Sequence, residues 1–339
     1  MTASEDFTSF TDPFRAELLV HCYRMVGSAD EAEDLVQETY LRAWRSYPGF
    51  QGRSSVRTWL YRIATNVCLT AIERRGRRPL PSGLGGPGDD PAAAPVTSPD
   101  VPWLQPIPDA VLGAAQADPA AVAVARAGTR LAFVAALQYL SARQRAVLIL
   151  RDVLEWPAAE VAGLLGLTTT AVNSALRRAR AQLAQALPAE DDVAEPAEPQ
   201  QRAILDRYAA AFEDADVTAL AALLRADIAL EMPPIATWLA GRGSVVRFLA
   251  SNVLRAPGQF RLVAAAANGQ PAFAAYERDR DGVYRAHALQ VLAVTPGGVA
   301  RIVTFLDPGL FGSFRLPPVY RAAAARGGPT GADRARRHG

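Results

Sequence analysis

Apolar residues recur at spacings of three and four over residues 10–78 and again over 126–187, which predicts two helical blocks. In the first, Ser28-Ala29-Asp30-Glu31 has the form of a capping box, with Ser28 as N-cap and Glu31 at the third helical position. The helix that follows aligns Val36, Tyr40 and Trp44 on one face and Asp30, Asp34 and Glu38 on another. A turn-rich loop over 47–55 separates it from a further helix that begins at Val56 and runs into Arg74, Arg75, Arg77 and Arg78. In the second block, Ser141 and Gln144 form another capping box and open a helix through Leu154. Pro157 is expected at the first position of a short helix, where its missing N–H costs nothing. Gly166-Leu167-Thr168 is a tight turn, and a final helix begins near Thr169 with Val172, Leu176, Ala179 and Leu183 as its inward stripe.

Beyond residue 200 the period changes. Leu205, Tyr208, Ala209 and Phe212 predict one amphipathic helix and 216–224 a second. A strand is expected over 228–232, a helix over 243–254, and strands near 260–267, 271–278, 284–294 and 299–306. The fold class is therefore multidomain: two all-α domains followed by an α+β domain over 200–316. Between them, 79–125 is rich in Pro, Gly and Ala, carries acids and has no basic residue between Arg78 and Arg126, so it reads as an acidic linker. One apolar island inside it, Trp103-Leu104-Gln105-Pro106-Ile107-Pro108, is expected to dock. Residues 188–199 form a second linker, and the tail 317–339 is expected to be disordered.

Composition narrows the function. Half of the 339 residues are hydrophobic, enough for sizeable cores, yet no apolar run approaches the roughly 18 residues a membrane span needs. The acidic, polar start is not a secretory signal, so the cytoplasm is the expected compartment and no membrane partner is expected. Cys22 and Cys68 sit in apolar surroundings without metal-ligand spacing and read as buried thiols. The histidines, His21, His287 and His338, are scattered, so no metal and no cofactor are expected. The net charge is only +2, but the chain contains no lysine, and every basic contact is made by a planar, bidentate arginine.

The candidate chemistry is binding. A row of acids at four-residue spacing repels itself by a few tenths of a kcal/mol per pair, which favours a basic partner. Aromatics interleaved with arginines beside a flexible loop suit single-stranded DNA, since bases stack on rings and guanidinium planes. On the last helix of the second block, Thr169, Thr170, Asn173, Ser174, Arg177, Arg178 and Arg180 lie away from the inward stripe. Arginine reads guanine and asparagine reads adenine in the major groove, so this face suits duplex DNA.

The run Asp30-Glu31-Ala32-Glu33-Asp34-Leu35-Val36-Gln37-Glu38-Thr39-Tyr40-Leu41-Arg42-Ala43-Trp44 resembles conserved region 2.2 of extracytoplasmic-function RNA polymerase sigma factors. Trp59-Leu60-Tyr61-Arg62-Ile63-Ala64-Thr65-Asn66 resembles their region 2.4, and the block 126–187 resembles their region 4. The resemblance implies that Asp34, Gln37 and Glu38 contact the polymerase core through its β′ subunit, with the β subunit as a second core partner. It implies that Phe50, Gln51, Arg53 and Ser54 hold a flipped-out base of the promoter −10 element, with Arg57, Trp59, Arg62 and Asn66 along the strand nearby. The second block would read the −35 element. The acidic linker would follow the path of nascent RNA.

The order of elements after residue 200, with Leu230-Glu231-Met232-Pro233-Pro234, Trp238 and Gly241-Arg242, resembles the SnoaL-like group of the nuclear-transport-factor cone fold. Such a domain encloses an apolar pocket. Met232, Trp238 and His287 are its candidate lining, and a small-molecule ligand follows as a candidate partner. Glu231, His287 and Asp307 are the acid/base candidates, but no Asp/His pair stands out, so the chain is read as non-enzymatic with no catalytic residue. The expected function is a sigma factor modulated by its fused domain, with or without a separate anti-sigma protein. Two alternatives stay open: a helix-turn-helix regulator with a ligand-sensing domain, and a cyclase- or isomerase-like enzyme.

Overall fold

The computed structural model describes residues 3–114, 128–186 and 198–321. The first helical body contains α1 (Ala3–Thr11), α2 (Arg15–Val26), α3 (Ala29–Ser46) and α4 (Val56–Arg75). Gly27, in the left-handed conformation at φ 72°, ends α2 and returns its N–H to the Tyr23 carbonyl. One residue later Ser28 starts α3, its Oγ accepting the Glu31 N–H at 3.1 Å. The expected capping box is only half formed. The buried Glu31 carboxylate faces Arg75 at 3.0 Å and Arg78 at 2.8 Å, because two guanidiniums hold a carboxylate more strongly than one backbone N–H. Leu18, Cys22, Met25, Ala32, Val36, Leu60, Ala64 and Cys68 are buried between these helices, and both cysteines are free thiols.

The second body contains α6 (Leu131–Leu137), α7 (Ala142–Leu148), which continues into a π-turn (Ile149–Val153), α8 (Ala158–Leu165) and α9 (Thr169–Ala186). The Ser141/Gln144 capping box is complete. Pro157 is the N-cap of α8 rather than its first helical residue, with extended ψ of 142°, and Gly166 ends that helix at φ 65°. The two bodies are packed together. Arg145 of α7, 1% exposed, donates to the Met25 carbonyl at the end of α2 and to Gln138 Oε1.

The linker is ordered where it is described. Its composition cannot fold alone, but the third domain supplies the missing surface. Gly88 N–H donates to the Trp238 carbonyl at 2.7 Å, Ser98 N–H to the Pro234 carbonyl at 2.8 Å, and Thr97 bridges to Ile235. The apolar island then docks as expected, with Leu104 and Ile107 fully buried, and leads into α5 (Asp109–Ala114). Most of the second linker lies outside the described residues.

The third domain runs α10 (Glu198–Glu213), α11 (Val217–Leu223), β1 (Leu224–Met232), β2 (Ile235–Ala240), α12 (Arg242–Phe248), β3 (Phe260–Ala267), β4 (Gln270–Arg278), β5 (Tyr284–Thr295), β6 (Gly298–Phe305), α13 (Leu310–Ser313) and β7 (Val319–Tyr320). The sheet order is β2-β1-β6-β5-β4-β3, with β7 beside β5. Among the described strands, only β1 and β6 pair in parallel. This is the expected α+β cone. Strand β2 had no sequence expectation of its own, and β7 lies inside the segment expected to be disordered, where Tyr276 also donates to the Pro317 carbonyl at 3.0 Å. The rest of that tail, 322–339, is outside the described residues.

The sheet has two apolar faces with different partners. Phe273, Leu230, Leu292 and Ile302 pack under the domain's own helices, beside Tyr208, Phe212 and Phe248. Ala272, Ala274, Tyr276, Leu289, Val291, Val303 and Phe305 belong instead to the core shared with both helical bodies. Alanines on that face let the bodies approach closely.

Candidate nucleic-acid interface and apolar cavity

On α9, Val172, Leu176 and Ala179 are buried and Leu183 packs against them. The helix therefore presents Thr169, Thr170, Asn173, Arg177 and Arg178 to solvent, with Ser174 half-buried beside them. Arg180 is exposed too, but Asp152 holds it bidentately at 2.7 and 2.8 Å. Thr169, Asn173 and Arg177, four residues apart, form the centre line of this face. Thr170, Ser174 and Arg178 flank it.

On α3, Asp34 and Gln37 are exposed, and Glu38 pairs with Arg42 at 2.7 Å. Asp30 leaves the expected acidic row, since it accepts from Gln105 Nε2 at 3.2 Å and from Ser313 Oγ at 3.3 Å. Leu41 and Trp44, 52% and 42% exposed, lie beside Gln37, so the surface is amphipathic rather than simply acidic.

The loop before α4 brings Phe50 against Trp59, ring centroids 4.7 Å apart, and leaves Gln51 and Arg53 exposed and Ser54 half-buried. Arg62 and Asn66 are exposed at i, i+4 along α4. Arg57 does not join them. Its guanidinium pairs with Glu17 at 2.9 Å and sits over the rings of Tyr61 and Trp156, at 5.0 and 5.6 Å. Trp156 comes from the second body and also packs on Tyr61, so one helical body covers Arg57 of the other.

The inside of the cone holds a cavity of about 290 Å³ lined by Met232 and His287 together with Tyr208, Leu230, Phe260 and Ile302. Trp238 does not line it. Strand alternation puts Leu239 inside, and Trp238 points the other way, its Nε1–H donating to the Gly85 carbonyl of the linker at 2.8 Å. Glu231 is fully buried outside the cavity, paired with Arg301 and accepting the Ser82 N–H at 2.9 Å. Asp307 is an exposed turn residue that accepts the Gly309 N–H. The partner of His287 is Glu277, 3.2 Å from its Nδ1 across the β4–β5 pair. A register shift at Ala275/Tyr276 contributes to that alignment, and no sequence spacing reveals it. Burial lowers the proton affinity of His287, opposed by the neighbouring Glu277 charge.

Sequence reasoning also missed the β3–β4 hairpin tip. Asn268-Gly269 is a hairpin signal, but its docking role is visible only in three dimensions. Asn268, fully buried at φ 59°, donates from Nδ2 to Tyr23 Oη and to the Thr129 carbonyl, each at 2.7 Å. Its Oδ1 accepts the Ile107 N–H at 3.0 Å, and its own N–H donates to the Ile107 carbonyl. Gly269 N–H donates to Asp109 Oδ1, and Gln270 Oε1 accepts the Leu131 N–H. One hairpin of the third domain thus binds the first body, the linker and the second body at once.

Residues 13–78 match the family described as Sigma-70 region 2, and residues 130–183 match Sigma-70, region 4. The chain is 51% identical over 314 residues to the ECF RNA polymerase sigma factor SigG of Mycobacterium tuberculosis, covering 92% of this chain and 84% of that protein. It is 29% identical to SigJ of the same organism, over 88% of this chain and 91% of that one. The crystal structure of Mycobacterium tuberculosis SigJ superposes with a TM-score of 0.57 at 24% identity, over 93% of this chain and the whole of that one, which shows a shared fold.

Proposed function

The chain belongs to the ECF RNA polymerase sigma factors, and from that premise we propose how its residues divide the work of promoter recognition and what its third domain does to them. As a sigma factor it binds core RNA polymerase and directs transcription initiation at promoter DNA, work that places it in the cytoplasm; no described helix is long and apolar enough to cross a membrane. The amphipathic surface of Asp34, Gln37 and Glu38 on α3 is the core contact, toward β′. Phe50, Gln51, Arg53 and Ser54, with Trp59, Arg62 and Asn66, capture the unpaired −10 strand by stacking and phosphate contact. Thr169, Asn173 and Arg177 read base edges of the −35 duplex, while Thr170, Ser174 and Arg178 position it. Arg180 joins them once it leaves Asp152.

The third domain modulates this activity by holding the chain shut. The observation that carries the reading is the buried Asn268 hairpin, bonded to both DNA-handling bodies and the linker between them. In the same arrangement Trp156 covers Arg57. The −10 and −35 elements lie about 25 base pairs apart, roughly 85 Å of duplex at about 3.4 Å per step. Two bodies sharing one core cannot occupy both, so promoter engagement requires them to part.

Run-off transcription with purified core polymerase tests the assignment. The full-length protein is expected to support promoter-specific transcripts, and the Asn268→Gly variant to support more. Failure to bind core polymerase would favour a helix-turn-helix regulator acting on duplex DNA alone. Equal transcription by both proteins would remove the modulatory role of the hairpin.

A further inference from the structure

The cone cavity has a roof that belongs to the linker. Pro95 lines it, and the flanking chain is tied down at Gly88, Thr97 and Ser98, with Asn252 Nδ2 donating to the Pro91 carbonyl at 3.4 Å. The segment that joins the two DNA-handling bodies therefore also closes a small-molecule-sized space, near the lower end of the volumes that hold drug-sized ligands.

The polar groups of that space specify what it can hold. Tyr208 Oη donates to Gln290 Oε1 at 3.0 Å, so that oxygen is already engaged. Both oxygens of Glu277 are engaged, one by Gln259 Nε2 at 3.0 Å and one by His287 Nδ1 at 3.2 Å. A carboxylate at Nδ1 favours the tautomer with its proton there, which leaves Nε2 with a lone pair. Among the described residues nothing hydrogen-bonds Nε2, and the ring lines the cavity against Phe260. Arg255 and Glu277 line the cavity with opposite charges, so neither an anion nor a cation is favoured there over a neutral molecule. Asn252, Gln290 and Thr304 add polar edges, and the other walls are aliphatic and aromatic.

We infer that this cavity binds a neutral, mainly apolar molecule bearing one hydroxyl, an alcohol or a phenol, which donates to Nε2 of His287 beneath the linker roof. Contact with Pro95 exists only while the linker is seated, so the ligand binds the closed chain more tightly and holds it closed. By reciprocity, partners that unseat the linker weaken ligand binding. This coupling rests on the modulatory reading above; occupancy of the cavity does not.

Fluorescence titration of the full-length protein with 2-naphthol tests the site, with 2-methoxynaphthalene as a probe of the same body lacking the donor. Saturable 2-naphthol binding, about tenfold tighter than that of the methyl ether, is expected for one net buried hydrogen bond. His287→Phe should bring the two probes to equal affinity without weakening the ether. No saturable binding, or equal affinities in the unmodified protein, overturns the site, and that comparison needs no variant to fold. A ratio that survives His287→Phe overturns the role of His287. Saturating core polymerase should weaken 2-naphthol at least tenfold. Unchanged probe affinity in a preparation that supports run-off transcription refutes the roof coupling alone, and failure to bind polymerase at all refutes the sigma reading while leaving the cavity result intact.

Discussion

At the residue scale, Asn268 concentrates the contacts between domains. Glycine keeps its left-handed backbone but removes every side-chain bond, leaving Tyr23, Ile107 and Thr129 with lost partners. Asn268→Gly is expected to weaken closure by about 2 kcal/mol, a roughly 30-fold rise in the open population. Limited trypsinolysis after Arg130 should rise accordingly, because cleavage follows the open fraction. His21 makes a second prediction. It is buried, its Nε2 lies 3.0 Å from Thr65 Oγ1, and burial, then Arg24 and Arg57, lowers its pKa to about 3. The unfolded chain binds that proton near pH 6.5 and the folded chain does not. The stability from neutral His21 is thus complete above about pH 6.5 and is lost as pH falls toward 3, at up to about 1.4 kcal/mol per pH unit. His21→Gln should flatten that part of the stability profile, and an unchanged acid slope would exclude His21 as its source. The residue types exposed on α9 were legible from period alone, whereas on α3 the exposed Leu41 and Trp44 were not. Arg57 was not, since its type suits DNA while its position is fixed by Glu17 and by Trp156 of another body.

At the element scale, the helices and most strands follow from period, caps and turn residues, because those signals are local. Ser141 with Gln144 and the left-handed Gly166 form where the sequence places them. Glu31 breaks its local rule because long-range arginines outcompete its cap. Strand β2 escaped because Pro233 and Pro234 precede it and its alternation is short. The recognition helix α9 yields a pair of contrasting outcomes in −35 duplex binding. Arg177→Ala should cost about 1–3 kcal/mol and relax discrimination at one base position. Arg178→Ala should weaken all sequences alike and lower the salt slope by about one. Identical behaviour of the two would contradict the centre-line and flank assignment. On α3, Asp34→Arg should reduce core-polymerase affinity tenfold or more while duplex binding stays unchanged, as measured by parallel titrations.

At the scale of the whole molecule, domain order and class were readable from changes of period and composition, but the way the domains close on one another was not. Docking uses a sheet face of small apolar residues such as Ala272 and Ala274, which in sequence look like any strand interior. It also uses a linker whose composition argues against order until Trp238 and Pro234 supply bonds to it. Under the proposed function, the third domain holds the sigma bodies together and they separate to engage promoter DNA. Fluorophores at Glu73→Cys on α4 and Ala181→Cys on α9, both exposed positions in a chain whose native cysteines are buried, report that separation directly. Energy transfer should be high in the free protein, fall on addition of core polymerase and promoter DNA, and already be lower in Asn268→Gly. High transfer that persists in a transcribing complex would contradict the account.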